Sequence, residues 1–308
     1  MKMTPRVLVL MATYNGSPWL EEQLESVLNQ QGVDVTLNVR DDGSSDSTLE
    51  LLEKKAKSDA RVHIIHSDFP TASAAGNFYP LILSAELEDV NYVAFSDQDD
   101  IWHKDKLSQG VAWLTQEKAD GYSCAVNAFW ADGRQKLLTQ SPQTRAIDFI
   151  FEGAGQGCTF VLPGENFRNV QKQLRANFEV LSQFHYHDWL TYLIVRSSGG
   201  KWFFDQTPHM EYRQHGGNEI GARGLQGLKK RMKLITSGWY TKQIRLALIA
   251  CDLMARQDHS LRLMSKLLEE KDGFWRRLKF CLCMMKYGRR RFTDRIFLSS
   301  VAAMGLLR

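Results

Sequence analysis

No charge-free apolar run in these 308 residues reaches the roughly 18 that a bilayer-spanning helix needs, so nothing in the sequence predicts a membrane span. The apolar run near the amino terminus, Val7 to Ala12, is a strand's length and too short for the core of a signal peptide. Cysteine is scarce: Cys124, Cys158, Cys251, Cys281 and Cys283 are odd in number and follow no metal-ligand spacing, which argues against a disulfide framework and against zinc. The expectation is a protein made and kept in the cytoplasm. The dinucleotide fingerprint G-x-G-x-x-G is missing after the first strand, where MATYNGS stands, and G-x-x-x-x-G-K-[ST] occurs nowhere. Nicotinamide oxidoreductases and phosphate-loop hydrolases therefore lose their main support. Internal repeats and low-complexity tracts are absent as well.

What is present is an uneven distribution of charge. Residues 226–308 hold 19 Lys or Arg against 6 Asp or Glu, whereas residues 1–225 hold 20 against 29. An acidic front and a basic rear imply different surroundings for the two. Their hydrophobic patterns differ too. Strands are expected at 6–12, 35–40, 62–66 and 91–96, alternating with helices at 18–30, 46–57 and 76–87, the arrangement of a mostly parallel sheet covered on both faces. Further on, 122–130, 157–163 and 201–205 read as strands, 164–198 as one or two helices, and 226–237, 240–270 and 272–304 as helical.

In a sheet of this kind a ligand lies beyond the carboxyl ends of the strands, and the polar clusters ATYNG (12–16), DDGSSD (41–46) and DQDD (97–100) fall there. Asp97, Asp99 and Asp100 stand close enough to repel, so a positive partner is expected. A solvated turn would satisfy them, but a hard divalent cation, Mn²⁺ or Mg²⁺, carrying a diphosphate accounts better for three converging loops. Asp99 is the candidate metal ligand, with Asp97 on a sugar or ribose hydroxyl or a metal-bound water. Thr13, Tyr14 and Asn15 are candidates for the base or ribose, and Asp41 or Asp42 for the ring N–H of a pyrimidine. Asp46 reads as a helix cap.

Transfer of a sugar with inversion needs a base for the acceptor hydroxyl. FHYHDWLTYLI (184–194) offers Asp188 at a helix start, where a mere cap is the alternative, with His187 and Trp189 as candidate acceptor contacts. GAGQGCTF (153–160) supplies Gly155, Gln156 and Gly157 for close backbone approach to an acceptor. YRQHGGNEIG (212–221) reads as a loop that closes over the donor, with His215 completing a metal sphere and Arg213 offsetting diphosphate charge. An incidental surface loop is the plainer reading of that segment.

Together ATYNG, RDDGSSDST, FSDQDDIWHKDKL, GAGQGCTFVLP, HDW and YRQHGGNEIG resemble family-2 inverting glycosyltransferases of GT-A fold, over residues 5–221. The nearest subgroup is that of bacterial rhamnosyltransferase-like enzymes of cell-surface polysaccharide synthesis. The resemblance implies an α/β fold with a GT-A-like, mostly parallel central sheet over residues 1–225, followed by a basic helical region, 226–308. It implies that Thr13, Tyr14 and the Asp41-Asp42 pair hold the nucleotide, that Asp97 and Asp99 form the metal and donor site, and that Asp188 is the general base. This chain has His187-Asp188 where the family commonly has Glu-Asp, and it lacks the QxxRW signature of processive polymerases. One or a few sugars, with rhamnose from a thymidine-diphosphate donor the expected case, would pass to a lipid-linked saccharide.

Residues 272–298 place Phe274, Leu278, Cys281 and Met285 on one helical stripe flanked by Arg276, Arg277 and Lys279, which suits an anionic membrane surface. The expectation is a peripheral protein on the inner face of the cell membrane. GRRRFTDR raises nucleic acid as a rival, but no nucleic acid partner is expected, because the acidic front repels phosphate and no recognition motif accompanies the run. A homo-oligomer is left open. The alternative functions are a nucleotidyltransferase of sugar-nucleotide metabolism and a catalytically inactive scaffold.

Overall fold

Strand β1 (Arg6–Thr13) sends Val7, Val9 and Met11 to one face of the sheet and Leu8 and Leu10 to the other, and all five are buried. A strand covered on both sides needs an uninterrupted apolar run, and RVLVLMA is one. The chain is described by a computed structural model over residues 3–66, 70–215, 232–256 and 258–307. β1 pairs in parallel with β2 (Asp34–Asp41) and β4 (Tyr92–Ser96), and β2 with β3 (Val62–Ile64). Between them run α1 (Leu20–Leu28), α2 (Thr48–Ser58) and α3 (Ala74–Ser84), and α1 buries Leu20, Leu24, Val27 and Leu28 as its period predicts.

Beyond β4 the sheet becomes mixed. The short β5 (Ile101–Trp102) and α4 (Lys106–Glu117) precede the hairpin β6 (Gly121–Trp130) and β7 (Gln135–Leu138), then β8 (Val161–Pro163), α5 (Gly164–Ala176), α6 (Phe178–Leu181), α7 (His187–Ser197) and β9 (Trp202–Gln214). The order across the sheet is β3-β2-β1-β4-β8-β6-β9-β5, with β7 beside β6. β8 runs antiparallel to β4 and β6, while β6 and β9 are parallel. The parallel half is therefore the one that the alternating periods predict, and the antiparallel pairs follow it.

Three expectations change. Gly157–Thr159 is a 3-10 turn, so the strand expected at 157–163 is confined to β8. β9 is 13 residues long and takes in Tyr212, Arg213 and Gln214, where the sequence predicts a loop; residues 216–221 lie outside the described residues. The long rear helices are each divided, into α8 (Trp239–Leu253) and α9 (His259–Glu269), and α10 (Phe274–Tyr287) and α11 (Phe292–Ala303). At Gly288 the backbone turns so close to the preceding helix that a Cβ would lie 2.3 Å from the Met284 carbonyl oxygen, which fixes the second break.

The sheet separates two cores. One joins α1, α4 and the Val7 face of β1; the other joins α3, α5, α7 and the Leu8 face, and it continues without interruption into Ile244, Met264, Phe280, Met284, Leu298 and Val301 of the rear helices.

Candidate active site

The carboxyl ends of β1, β2 and β4 carry three loops that are tied to one another by side chains grasping backbone. Gln98 accepts from the Tyr14 N–H at 2.8 Å and donates to the Tyr14 carbonyl at 2.9 Å. Asn15 has φ +48°, donates its N–H to Ser44 Oγ and accepts from the Ser45 N–H, both at 2.8 Å. The Gly16 N–H reaches Thr48 Oγ1 at 2.8 Å, and a Cβ at Gly16 would lie 2.2 Å from Gln98 Oε1. Asp46 accepts from Ser17 and Thr48; burial works against its ionisation, but these bonds bring its carboxyl down to about 2. It ties the loops where a helix cap was expected.

This clasp uses up several residues expected at the nucleotide. The Thr13 hydroxyl is buried and donates to Asp41 at 2.9 Å. Asp41 also accepts from Gly43 and Ser44 N–H and from Ser44 Oγ, so its two oxygens already have four donors. Asp42 is buried, paired with Arg40 at 2.8 Å, and accepts from the Thr71 and Ala72 N–H groups at 2.7 and 2.9 Å. Arg40 in turn donates to Asn77, whose amide donates to the Thr13 carbonyl. Asp42 and Thr13 thus shape the loops from beneath, with the Asp42 carboxylate and the Thr13 hydroxyl already engaged within the protein. The Tyr14 ring, 57% exposed, lies open above them.

The DQDD carboxylates face β9. Asp99 Oδ2 is 2.7 Å from His215 Nε2, and His215 stacks on Trp19 with ring centroids 4.1 Å apart. Arg213 donates from Nε to the Asp99 carbonyl at 2.9 Å, from its backbone N–H to Asp100 at 3.3 Å, and to Glu22 at 2.6 Å. Arg213 thus sets positive charge beside the cluster, its guanidinium held by the Asp99 carbonyl and by Glu22. Asp100 is fully buried; burial, then the charges of Asp99 and Asp97, push its carboxyl well up. Lys106, also buried, lies 3.4 Å above the Trp102 ring, and burial lowers its amine to about 8.

Two donor sets adjoin the cluster. Asp97, Asp100 and Cys158 have ligand atoms within 4.8 Å of one another, but burial holds the Asp100 carboxyl and Cys158 thiol well above their usual ranges, which favours the protonated forms. Asp99, largely buried, and the half-buried His215 bring an oxygen and an imidazole nitrogen side by side, a combination that suits Mn²⁺ better.

The 157–158 turn joins this cluster to α7. A Cβ on Gly157 would lie 2.8 Å from His187 Nε2 and 3.1 Å from Asp188 Cβ, so glycine alone lets the turn press on the helix start. The next residue, Cys158, brings its Sγ within 4.8 Å of an Asp100 carboxylate oxygen. Asp188 is partly exposed and accepts from the Trp189 N–H at 2.5 Å. Its neighbours differ from expectation. His187 is stacked on Phe78 at 3.7 Å and edge-on to Phe95 at 5.1 Å, and burial lowers its imidazole to about 3. Trp189 is buried with Nε1 donating to the Phe149 carbonyl at 2.7 Å. Both are core residues, and their expected acceptor contacts are withdrawn. Gly155, with φ +125°, and Gln156 remain partly exposed beside the turn.

A cavity of about 390 Å³ opens between the start of α3 and the α6–α7 connection, lined by Ser73, Tyr79, Phe178, Gln183 and His185. Burial and then the Asp188 charge raise the Tyr79 phenol, which ties this cavity to the Asp188 side. A larger one of about 630 Å³ lies at the amino ends of β1 and β2, the opposite end from the loops. Gln98, Trp19 and Asn77 are the contributors that motif reading missed. β4 ends at Ser96, so no strand alternation through D-Q-D singles out Gln98, and its role emerges only from the contact between the loops.

The profile described as "Glycosyl transferase family 2" matches residues 8–198. The chain belongs to that family. A dTDP-rhamnosyl transferase of Shigella flexneri, RfbG, is 37% identical over 236 residues, covering 76% of this chain and 82% of its own length. The UDP-Glc:alpha-D-GlcNAc-diphosphoundecaprenol beta-1,3-glucosyltransferase WfgD of Escherichia coli is 24% identical, covering 61% and 69%. Among solved structures, S. aureus TarS 1-349 aligns over 98% of this chain and 89% of its own with a TM-score of 0.55 and 12% identity. The mannosyltransferase PcManGT of Pyrobaculum calidifontis, in complex with GDP-Man and Mn²⁺, covers 98% and 88% at TM-score 0.50 and 15% identity. At these identities the structural likeness speaks for the GT-A-type fold of this family-2 glycosyltransferase.

Proposed function

We propose that this glycosyltransferase moves rhamnose from dTDP-rhamnose to a lipid-linked saccharide, with inversion, in bacterial cell-surface polysaccharide synthesis. The observation that carries the reading is the Gly157-Cys158 turn, which abuts Asp188 on one side and the Asp100 carboxyl on the other. In this reading one two-residue turn links the general base to the aspartate cluster. The similarity to a dTDP-rhamnosyl transferase supports the donor, and the similarity to an enzyme acting on a diphosphoundecaprenol-linked sugar supports the acceptor class. Family membership sets aside the nucleotidyltransferase reading.

Asp188 takes the proton of the acceptor hydroxyl, whose oxygen forms a bond to the anomeric carbon as the bond to the donor diphosphate breaks and the diphosphate leaves with the electron pair. Asp97 accepts from a donor hydroxyl, Tyr14 and Asn15 border the nucleotide, and Gly155, Gln156 and Gly157 border the acceptor. Arg213, fixed on Asp99 and Glu22, adds positive charge beside the diphosphate. Mn²⁺ or Mg²⁺ would be held by Asp99 and His215 and would supply charge compensation for the departing group.

The rear helices carry the membrane contact in this reading. The outward face of α10 is Phe274, Trp275, Leu278 and Leu282, the first two 72% and 70% exposed, with Lys279 and Lys286 along its edge. Phe292 and Ile296 of α11 are exposed too. The face is thus displaced from the expected stripe, since Cys281 and Met285 are half-buried. Aromatics edged by lysine suit an anionic lipid interface.

Calorimetry with uridine, thymidine and guanosine diphosphate sugars, with and without Mn²⁺ or Mg²⁺, tests the donor. Metal-dependent selection of dTDP-rhamnose is expected; selection of another donor overturns the sugar assignment, and failure of all donors overturns the reading.

A further inference from the structure

The basic run Arg289-Arg290-Arg291, which invites comparison with a polyanion site, is turned largely inward. The Arg290 side chain is 1% exposed. Its Nη1 lies 3.3 Å from Asp148 Oδ2 and 3.6 Å from Glu152 Oε1, and its Nη2 donates to the Gly153 carbonyl at 2.8 Å. Its backbone N–H donates to Glu152 Oε1 at 2.5 Å, while Arg289 Nε stands 3.3 Å from Glu152 Oε2. The guanidinium is also 4.6 Å from the Phe204 ring centroid and 5.3 Å from that of Tyr192.

The segment held in this way leads straight into the acceptor turn. A Cβ on Gly153 would be 3.2 Å from Trp189 Cα, so its backbone packs on α7 one residue beyond Asp188. Two residues after Gly153 the chain reaches Gly155, and at Gly157 it meets Asp188. We infer that Arg290 is a positioning residue for the acceptor side: from the α10–α11 turn it clamps residues 148–153 and so fixes the 155–158 turn against Asp188. The inference rests on the proposed roles of Asp188 and that turn. Its physical ground is that a buried ion pair adds little net stability yet fixes geometry, because the fork of an arginine binds a carbonyl and a carboxylate at set angles. Lysine keeps the charge without the fork.

The test compares Arg290→Lys and Glu152→Gln with the unaltered full chain. Three quantities are read: amide hydrogen exchange, calorimetric affinity for dTDP-rhamnose with Mn²⁺, and KM for a GlcNAc-diphosphoryl lipid. For Arg290→Lys, exchange over residues 153–160 rises by about tenfold or more while residues 13–17 and 41–48 keep their protection. Donor affinity stays within about twofold and the acceptor KM rises about tenfold. Glu152→Gln, which keeps its shape and an acceptor oxygen, gives a smaller change at the same amides, and it decides the matter if Arg290→Lys does not fold. Unchanged exchange at 153–160 in the folded variants, or an equal rise throughout the chain, overturns the inference, as does an equal loss in donor and acceptor parameters. If the unaltered protein binds no nucleotide sugar, the donor reading fails, while the exchange comparison still decides whether Arg290 clamps the turn.

Discussion

His187 and Asp188 are neighbours in the chain with opposite surroundings. The imidazole is enclosed by Phe78 and Phe95 and stays neutral down to about pH 3, whereas the carboxylate remains partly exposed at the helix start. An unfolded histidine takes up its proton near pH 6.5, so below that pH the unfolded chain binds a proton that the folded chain refuses. Stability is therefore unaffected by this group above about pH 6.5 and falls as pH drops toward 3, by roughly 1.4 kcal/mol per pH unit from this one site. Urea unfolding at pH 7, 6 and 5 should register that slope, and His187→Gln should remove most of it. Asp188→Asn should leave donor affinity and unfolding midpoint nearly unchanged while lowering turnover by about 10²–10⁴. Single-turnover transfer assays check the second expectation, and parallel loss of donor binding would count against the base assignment. At this scale the sequence announces residue type but not direction. HDW displays three candidates in a row, and helical geometry turns two of them into the core.

The three loop clasps belong to the scale of elements. Gln98 joins the end of β4 to the loop after β1 by two hydrogen bonds, and Gly16 leaves the room it occupies. Gln98→Ala removes both bonds, and Gly16→Ala drives the same side chain away. Each substitution should cost about 1–3 kcal/mol, and the double variant should cost little more than either alone. A double-mutant cycle in denaturant checks this, and simple additivity would refute the shared cause. For α10, replacing Phe274 and Trp275 together by alanine should weaken binding to anionic vesicles by roughly 10–100-fold without altering the fold, on the basis of apolar area withdrawn from water. Vesicle sedimentation in rising salt gives the readout. The alternation of β1 to β4 with α1 to α3 was legible because both faces of the parallel strands are covered and the helices carry a single apolar stripe. The division of the rear helices was not, since Gly288 lies within a run whose helical period barely falters.

In the molecule as a whole, one core runs from the sheet into the rear helices, and the loops after β1, β2 and β4 are tied to one another and to the end of β9 by hydrogen bonds. Removal of divalent ions with EDTA should abolish transfer, and Mn²⁺ or Mg²⁺ should restore it, with the folding transition barely shifted. Activity that survives exhaustive chelation would displace Asp99 and His215 from the proposed role. Convergence of the three polar loops was readable from strand order alone. The pairing of His215 with Asp99, 116 positions apart, was expected only as a shared role, because contact across such a distance depends on how far β9 extends.

The bond from the Arg290 backbone to Glu152 spans 138 positions. On a ribosome adding about 5–20 residues per second, the proposed donor half, complete once His215 has been added 75 positions before Arg290, can be assembled roughly 4–15 seconds before the clamp for the acceptor half has been made. Throughout that interval the nascent enzyme has its donor loops in place and no fixed seat for an acceptor, so synthesis itself delays the onset of transfer until the rear helices have joined the sheet.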